Sequence, residues 1–175
     1  MTSEIVFAEA TIADAASIAA LHADSWRRHY RHSYPESFFG DSLDDDRLAV
    51  WTDRLRSSAG TYTLVATLSG DLIGFVHVVI EGDAGWGALV DNLHVRHDCH
   101  RRGIASQLMK QAAAFVAAAA PGSGLYLWVL ERNVRAQAFY RALGAAFADQ
   151  RSVDPPALPG ALCRRCVWPG LNALI

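Results

Sequence analysis

LHVRHDCHRRGIASQLM, residues 93–109, joins the end of a strand, a basic turn and the start of a helix in one stretch. A strand-like run over residues 88–95 feeds a short loop crowded with Arg and His, and Gly103 opens a helix that continues to about Ala120. The first turn of a helix has backbone N–H groups without intrahelical partners and a partial positive charge, so it holds anionic oxygens well. Gly103 has no Cβ and lets a phosphate approach the main chain, while Arg96, His97, His100, Arg101 and Arg102 add mobile positive charge. The stretch reads as a phosphate cradle.

Neither common nucleotide-loop spacing fits it. The chain has no GxxxxGK[ST], and Gly82, Gly85 and Gly87 stand in the order GxxGxG rather than GxGxxG. The run His100, Arg101, Arg102, Gly103, Ile104, Ala105 instead resembles [Q/R]xxGx[G/A], the pyrophosphate-binding signature of the GNAT-superfamily N-acetyltransferases. A second block, LWVLERNVRAQAFYRALGA over residues 127–145, is similar to that family's next strand and helix, with Asn133, Ala136, Phe139, Tyr140 and Gly144 in matching places. The departures are His100 for the first Gln or Arg and Ala105 for the commoner Gly. Main-chain N–H groups carry most of the binding, so both changes are compatible with it. The resemblance covers roughly residues 61–167 well and residues 5–55 more loosely.

That resemblance implies an α+β GNAT fold: a mixed sheet of about six to seven strands flanked by helices, with two central parallel strands splayed apart. It implies one domain over residues 1–175, with acceptor-side helices at about 5–56 and a cofactor-binding core at about 61–168. The implied reaction is transfer of the acetyl group of acetyl-CoA, the acyl donor, to an amine. The backbone of Leu93, His94 and Val95 is then expected to pair with the pantetheine arm, and the turn His100, Arg101, Arg102, Gly103, Ile104, Ala105, Ser106 to hold the pyrophosphate. In the family the positions of Asn133 and Tyr140 contact the pantetheine arm and approach the thioester sulfur. These two residues are seven apart, close to two helical turns, and so share one helix face.

Composition sets the outer bounds. With 175 residues, 51% of them hydrophobic, the chain can bury a sizeable core. Sixteen basic and 18 acidic residues give a formal net charge of −2, which argues against a general nucleic-acid or membrane binder. The most apolar tract, residues 112–120, is short of the roughly 20 residues needed to span a bilayer, and the start does not read as a signal peptide. A cytoplasmic location is expected, and a homodimer by analogy with the family. Cys99, Cys163 and Cys166 do not look like a disulfide framework, and the Cys163/Cys166 spacing lacks the second ligand pair that a zinc site needs. No metal is expected.

Along the chain, residues 5–10 read as a first strand, and Asp14 as the cap of an Ala-rich helix with Ile18, Leu21 and Ser25 on one face. A second helix is expected from about Asp44 to Arg56, burying Leu48, Trp51 and Leu55. Residues 62–67 and 72–80 read as a hairpin turning at Ser69 and Gly70, and residues 81–87 as a Gly-rich connection. The helix after the basic turn carries a core stripe of Ile104, Leu108, Ala112 and Phe115. Residues 125–130 form a strand. Asn133 is an N-cap and Gly144 a C′ residue for the helix between them, and residues 146–153 and 162–168 close the sheet.

Chemistry adds requirements of its own. An alkylammonium of pKa about 10.4 is free amine in only about one molecule in two thousand at pH 7, so a base is needed. His77, Glu81, Asp91 and His94 are the candidates on the central strands and their connection. Tyr140 is the candidate general acid for the departing thiolate, although full transfer from a phenol of pKa about 10 to a thiol of about 8.5 is uphill by about 2 kcal/mol. A main-chain N–H near residues 93–95 can serve the developing oxyanion.

The aromatic run Trp26, His29, Tyr30, His32, Tyr34, Phe38 and Phe39 lies where the family places its acceptor wall, and Trp26, Tyr30 and Tyr34 are the candidate substrate contacts. Asp41, Asp44, Asp45 and Asp46 follow, to be read as helix capping and a solvated acidic turn or as a lure for a cationic amine. The acceptor expected is a small-molecule amine. A protein N-terminus or lysine and a catalytically quiet acyl-CoA-binding module are the alternatives, and a nucleic-acid partner is not expected.

Overall fold

The computed structural model describes residues 4–30, 36–152 and 160–175. Among the described residues seven strands and four α-helices follow one another: β1 Ile5–Glu9, α1 Ala15–Tyr30, α2 Asp41–Arg56, β2 Thr61–Leu68, β3 Asp71–Asp83, β4 Gly87–Val95, α3 Ile104–Ala119, β5 Leu125–Leu130, α4 Val134–Ala142, β6 Ala146–Ser152 and β7 Leu162–Trp168. The sheet is mixed, in the order β1-β2-β3-β4-β5-β7-β6. Two compact units divide the chain, one of Met1–His77 with Asn92–Leu108 and one of Val78–Asp91 with Met109–Ile175.

In the first unit β1 and β2 pair antiparallel from Ile5–Leu68 to Glu9–Leu64. Ser69 and Gly70 both take positive φ, 53° and 89°, the backbone that a two-residue hairpin turn demands. The core gathers Ile18, Ala19 and Leu21 of α1, Trp51 of α2, Val65 of β2 and Phe75 of β3. Gly74 sits tightly, since a Cβ there would meet the His94 carbonyl at 3.2 Å and the Ile104 and Leu108 side chains at 3.3 Å.

Three expectations need correction here. Thr11 rather than Asp14 is the cap: a 3₁₀ turn over Ile12–Asp14 precedes α1, and Asp14 Oδ2 accepts from the Thr11 N–H (2.7 Å) and hydroxyl (3.0 Å). Helix α2 starts at Asp41, earlier than expected, and Leu48 is 42% exposed whereas Leu43 is 3%. The inward face carries Leu43, Arg47, Trp51 and Arg54, with guanidinium groups laid over Trp26 and Trp51, each 5.0 Å from its ring centroid. Leu48 is a hundred-degree step round from that face. Finally, β3 runs on to Asp83, so Glu81 belongs to a strand, and the connection shrinks to a turn in which Asp83 Oδ1 accepts the Gly85 N–H at 2.8 Å.

In the second unit β4 and β5 are parallel and pair at Ala88–Leu125 and Leu89–Tyr126, while β5 pairs antiparallel with β7 along its whole length, Leu125–Trp168 to Leu130–Cys163. The parallel start is close because both chains are glycine there: a Cβ on Gly87 would lie 2.3 Å from the Gly124 carbonyl oxygen, and Ala88 N–H donates to that oxygen at 3.0 Å. Helix α3 buries Ile104, Leu108 and Ala112 as expected, and Met109, Ala113 and Val116 too. Phe115 is only half-buried. Helix α4 begins at the Asn133 cap, which accepts the Ala136 N–H at 3.1 Å, and ends at Gly144 with φ 87°.

Candidate active site

In the first unit, β4 delivers residues 93–95 to the basic turn. Arg96 N–H donates to Ile73 O (2.8 Å), fixing the strand end, and a 3₁₀ turn over His97–Cys99 follows. Arg101 and Gly103 then take φ of 64° and 77° before α3 begins. Such left-handed residues turn successive N–H groups toward one side, the concave arrangement that receives an anion. A Cβ built on Gly103 meets nothing within 4 Å, so the space above it is open to a ligand.

The basic side chains divide into braces and exposed charges. Arg96 pairs with Asp98 (2.7 Å) and donates to the buried Cys99 sulfur (3.6 Å), and His100 Nε2 lies 2.9 Å from Val95 O. His100, the unusual first motif residue, thus folds back to hold the loop. Arg101 and Arg102 are exposed.

Behind β4, four rings of the same unit pack together. Trp51 Nε1 donates to His22 Nδ1 (3.0 Å), the His22 and His94 centroids are 4.9 Å apart, and His94 lies 5.2 Å from Phe75. His94 Nδ1 is 2.9 Å from Ser25 Oγ. Burial first, then the nearby His94, Arg47 and Arg54, push the pKa of His22 down to about 2. Trp26 and Tyr30 are neighbours at 5.4 Å, whereas Tyr34 lies outside the described residues. A cleft of about 570 Å³ opens between α1 and the turn after β4, with Asp24, Ser25, Arg28, Val95, His97 and His100 among its walls. Sequence reasoning missed this grouping, since Ser25 and His94 are far apart in the chain and only the fold makes them partners.

Two residues of the acidic run, Asp44 and Asp46, are engaged in ion pairs. Asp44 accepts both terminal nitrogens of Arg27 (Nη1 at 3.0 Å), and that hydrogen bonding holds its carboxyl below the usual range. Asp46 pairs with Arg47. These two aspartates are thus ion-pair partners at the surface, while Gly40 takes the N-cap position of α2. Among the base candidates His77 is 1% exposed, with Nδ1 2.7 Å from Thr63 Oγ1 and its ring edge-on to Trp51. Glu81 and Asp91 are exposed on β3 and β4.

The second unit holds the other expected residues. The Asn133 carboxamide is committed to capping α4, and Gln137, buried one turn later and unremarked in the sequence, donates to Leu130 O (3.2 Å) and Glu131 O (2.5 Å). Its only sequence signal was a polar residue at cap plus four. Trp168 Nε1 donates to Leu143 O (2.9 Å) and so ties the other end of α4 to β7. Tyr140 is half-buried between Phe139 (5.2 Å) and Trp168 (6.1 Å). Burial, with a smaller contribution from Cys166, raises its phenol well above the usual tyrosine value. Burial also pushes the Cys166 thiol up to about 12. Both therefore stay protonated at neutral pH. Among the described residues no group of three or more His, Cys, Asp or Glu is placed to hold a metal, and no helix is long and apolar enough to cross a membrane.

The acetyltransferase (GNAT) family model matches residues 22–145. Solved structures similar to this chain include PaiA N-acetyltransferase from Thermoplasma acidophilum in complex with coenzyme A, at 20% identity and a TM-score of 0.70 over 93% of this chain and 98% of that one. YncA from Salmonella typhimurium, solved with its cofactor acetyl-CoA, is similar at 16% identity and TM-score 0.69 over 95% and 94%. Nourseothricin acetyltransferase shares 26% identity at TM-score 0.57, over 63% of this chain and 65% of its own. No curated protein matches the chain significantly by sequence.

Proposed function

The chain belongs to the acetyltransferase (GNAT) family, and from that premise we propose that it moves the acetyl group of acetyl-CoA to the primary amine of a small molecule, by direct attack in a ternary complex. The observation that carries this reading is the turn at Arg101 and Gly103, with φ of 64° and 77° and open space above Gly103, leading straight into α3. An anionic pyrophosphate fits such a turn, with Arg101 and Arg102 beside it. The main chain of Leu93, His94 and Val95 would hold the pantetheine arm, and Ile104, Ala105 and Ser106 would offer N–H groups of the first helical turn. Bound there, acetyl-CoA supplies an activated acetyl thioester.

The chain's own residues then have limited tasks. Tyr140, protonated at every pH of interest, donates a hydrogen bond to the thiolate as it leaves. Its raised pKa makes complete proton transfer harder than for an ordinary tyrosine, so charge stabilisation is its larger contribution. Asn133 acts by holding the start of α4. A small acceptor is supported by the cleft of about 570 Å³ beside Ser25, within the range of small-molecule sites.

The test is a melting-temperature shift with acetyl-CoA, combined with thiol release over a panel of amines and peptides. Acetyl-CoA should raise the melting temperature, and Gly103→Glu should abolish the rise by placing bulk and negative charge in the turn. An unchanged shift in a folded Gly103→Glu protein removes the turn from the binding site. Turnover confined to peptides would replace the small amine with a protein acceptor.

A further inference from the structure

We propose that Gln137 is a positioning residue for Tyr140: its side chain clips α4 to the end of β5 and so sets where the phenol hydroxyl stands as the thiolate leaves. The inference rests on the acetyl-transfer reading above, with Tyr140 as its hydrogen-bond donor, and gives a task to a residue which that reading leaves without one.

Gln137 is a polar side chain in an apolar place. It lies four positions after the Asn133 cap, in a helix of nine residues, and is 6% exposed. Burying a carboxamide is costly unless its hydrogens find acceptors. The Nε2 group carries two hydrogens, and it donates to Leu130 O at 3.2 Å and to Glu131 O at 2.5 Å. Those are the last carbonyl of β5 and the first of the turn beyond it.

Both acceptors are themselves anchored. β5 pairs with β4 at Leu125 and Tyr126, at its start, and with β7 from Leu125 to Leu130. Glu131 extends that hold on β7, since its N–H donates to Leu162 O (2.8 Å) and its carboxylate accepts from Arg164 Nη2 (3.0 Å). Gln137 therefore ties α4 to a fixed strand end rather than to a loose turn. The Asn133 carboxamide does a different job, because its Oδ1 accepts the Ala136 N–H within the helix's own first turn.

At the other end of α4, Trp168 Nε1 donates to Leu143 O at 2.9 Å. A short helix held at both ends by directional bonds resists sliding along its axis and rolling about it. Apolar packing alone, being non-directional, opposes a roll less well. Tyr140 lies between the two clips, three residues after Gln137 and so one turn further along the helix. Its hydroxyl stands at the far tip of a long side chain, where a small roll of the helix is magnified. A displacement of about 1 Å in a reacting geometry costs on the order of 100-fold in rate.

The experiment is a double-mutant cycle in kcat, by thiol release with the best amine of the panel, on the parent, Gln137→Met, Tyr140→Phe and the double variant, well below the lowest melting temperature of the four. Methionine matches glutamine in length and removes both donors. Gln137→Met should lower kcat by about 10-fold. The melting-temperature rise with acetyl-CoA should persist, because the turn at Gly103 is untouched. In the Tyr140→Phe background the same change should alter kcat by less than about 2-fold, since the hydroxyl it positions is gone. The loss should also shrink with a donor whose leaving thiol is more acidic. An unchanged kcat in Gln137→Met, or an equal loss in both backgrounds, overturns the proposal and makes Gln137 a folding residue only. Should Gln137→Met fail to fold, Gln137→Asn, which keeps the amide and shortens its reach, takes its place in the cycle with the same two outcomes. If Tyr140→Phe turns over at the parental rate, the proposal falls while acetyl transfer stands. A parent that acetylates no amine overturns the acetyl-transfer reading itself, and the role of Gln137 with it.

Discussion

Trp51 donates its indole N–H to Nδ1 of His22 across 3.0 Å, and this bond leaves the single proton of a neutral imidazole on Nε2. The pair lies in the core, His22 at 5% and Trp51 at 0% exposure, so charging the ring means placing an ion among aromatic neighbours. The folded chain therefore takes up no proton here until about pH 2. An unfolded chain takes one up below about pH 6.5. Stability from this residue is fully present above pH 6.5 and is lost as pH falls from there toward 2, by about 1.4 kcal/mol per pH unit. Thermal unfolding at pH 8 and pH 5 should show a loss of about 2 kcal/mol in the parent, and a flatter dependence in His22→Gln. Equal slopes in the two proteins would place the acid sensitivity elsewhere.

Gly87→Ala should be among the most damaging single substitutions in the second unit. It combines a φ of 93° with a Cβ that would lie 2.3 Å from the Gly124 carbonyl oxygen, a backbone atom that cannot swing aside. A loss of about 3 kcal/mol or more is expected in denaturant unfolding. Gly122→Ala is the control, with φ 83° but nothing within 4 Å of the new methyl group, and should cost about 1 kcal/mol. Similar losses at both sites would mean that backbone conformation, and not the approach of β4 to β5, sets the penalty.

Asp44→Asn should leave the acceptor KM where it is. The carboxylate is occupied by Arg27, and the pair is partly exposed, with 33% and 48% of its side chains accessible. Loss of the pair should cost at most about 1 kcal/mol of stability, and less in high salt. A clear rise in acceptor KM with unchanged stability would restore the aspartate as a lure for cations.

Tyr140→Phe keeps the ring against Phe139 and Trp168 and removes only the hydroxyl. Affinity for acetyl-CoA should barely change. Turnover should fall by about 10- to 100-fold, the value of one hydrogen bond to a charged group, and by less with a donor whose leaving thiol is more acidic. Parental turnover in Tyr140→Phe would make it a packing residue.

Local rules made much of this fold legible. The hairpin at Ser69 and Gly70, the cap at Asn133, the stop at Gly144 and the turn before Ile104 each depend on residues within a few positions of one another, and all four are found where the chain spells them. Helix α2 was harder because two arginines occupy its inward face. A periodicity count that treats Arg as outward places Leu48 inside, whereas cation–π stacking of Arg47 on Trp26 and Arg54 on Trp51 turns the helix the other way. The pairing of Ser25 with His94 depends on how α1 lies against β4, and sequence spacing carries no trace of it.

Arg164 and Arg165, side by side on β7, make the strand's alignment self-checking. Arg165 stacks on Trp86 (4.8 Å), Tyr126 (5.3 Å) and Trp128 (4.5 Å) and lies 2.8 Å from Asp149 and 3.7 Å from Asp83, while Arg164 reaches Glu131 at 3.0 Å. Because successive strand residues face opposite ways, a slip of one position would carry a guanidinium into the fully buried place of Cys166 and strand both sets of carboxylates. Misaligned sheets are thereby penalised electrostatically during folding, so β7 needs no long apolar run to find its one correct neighbourly fit.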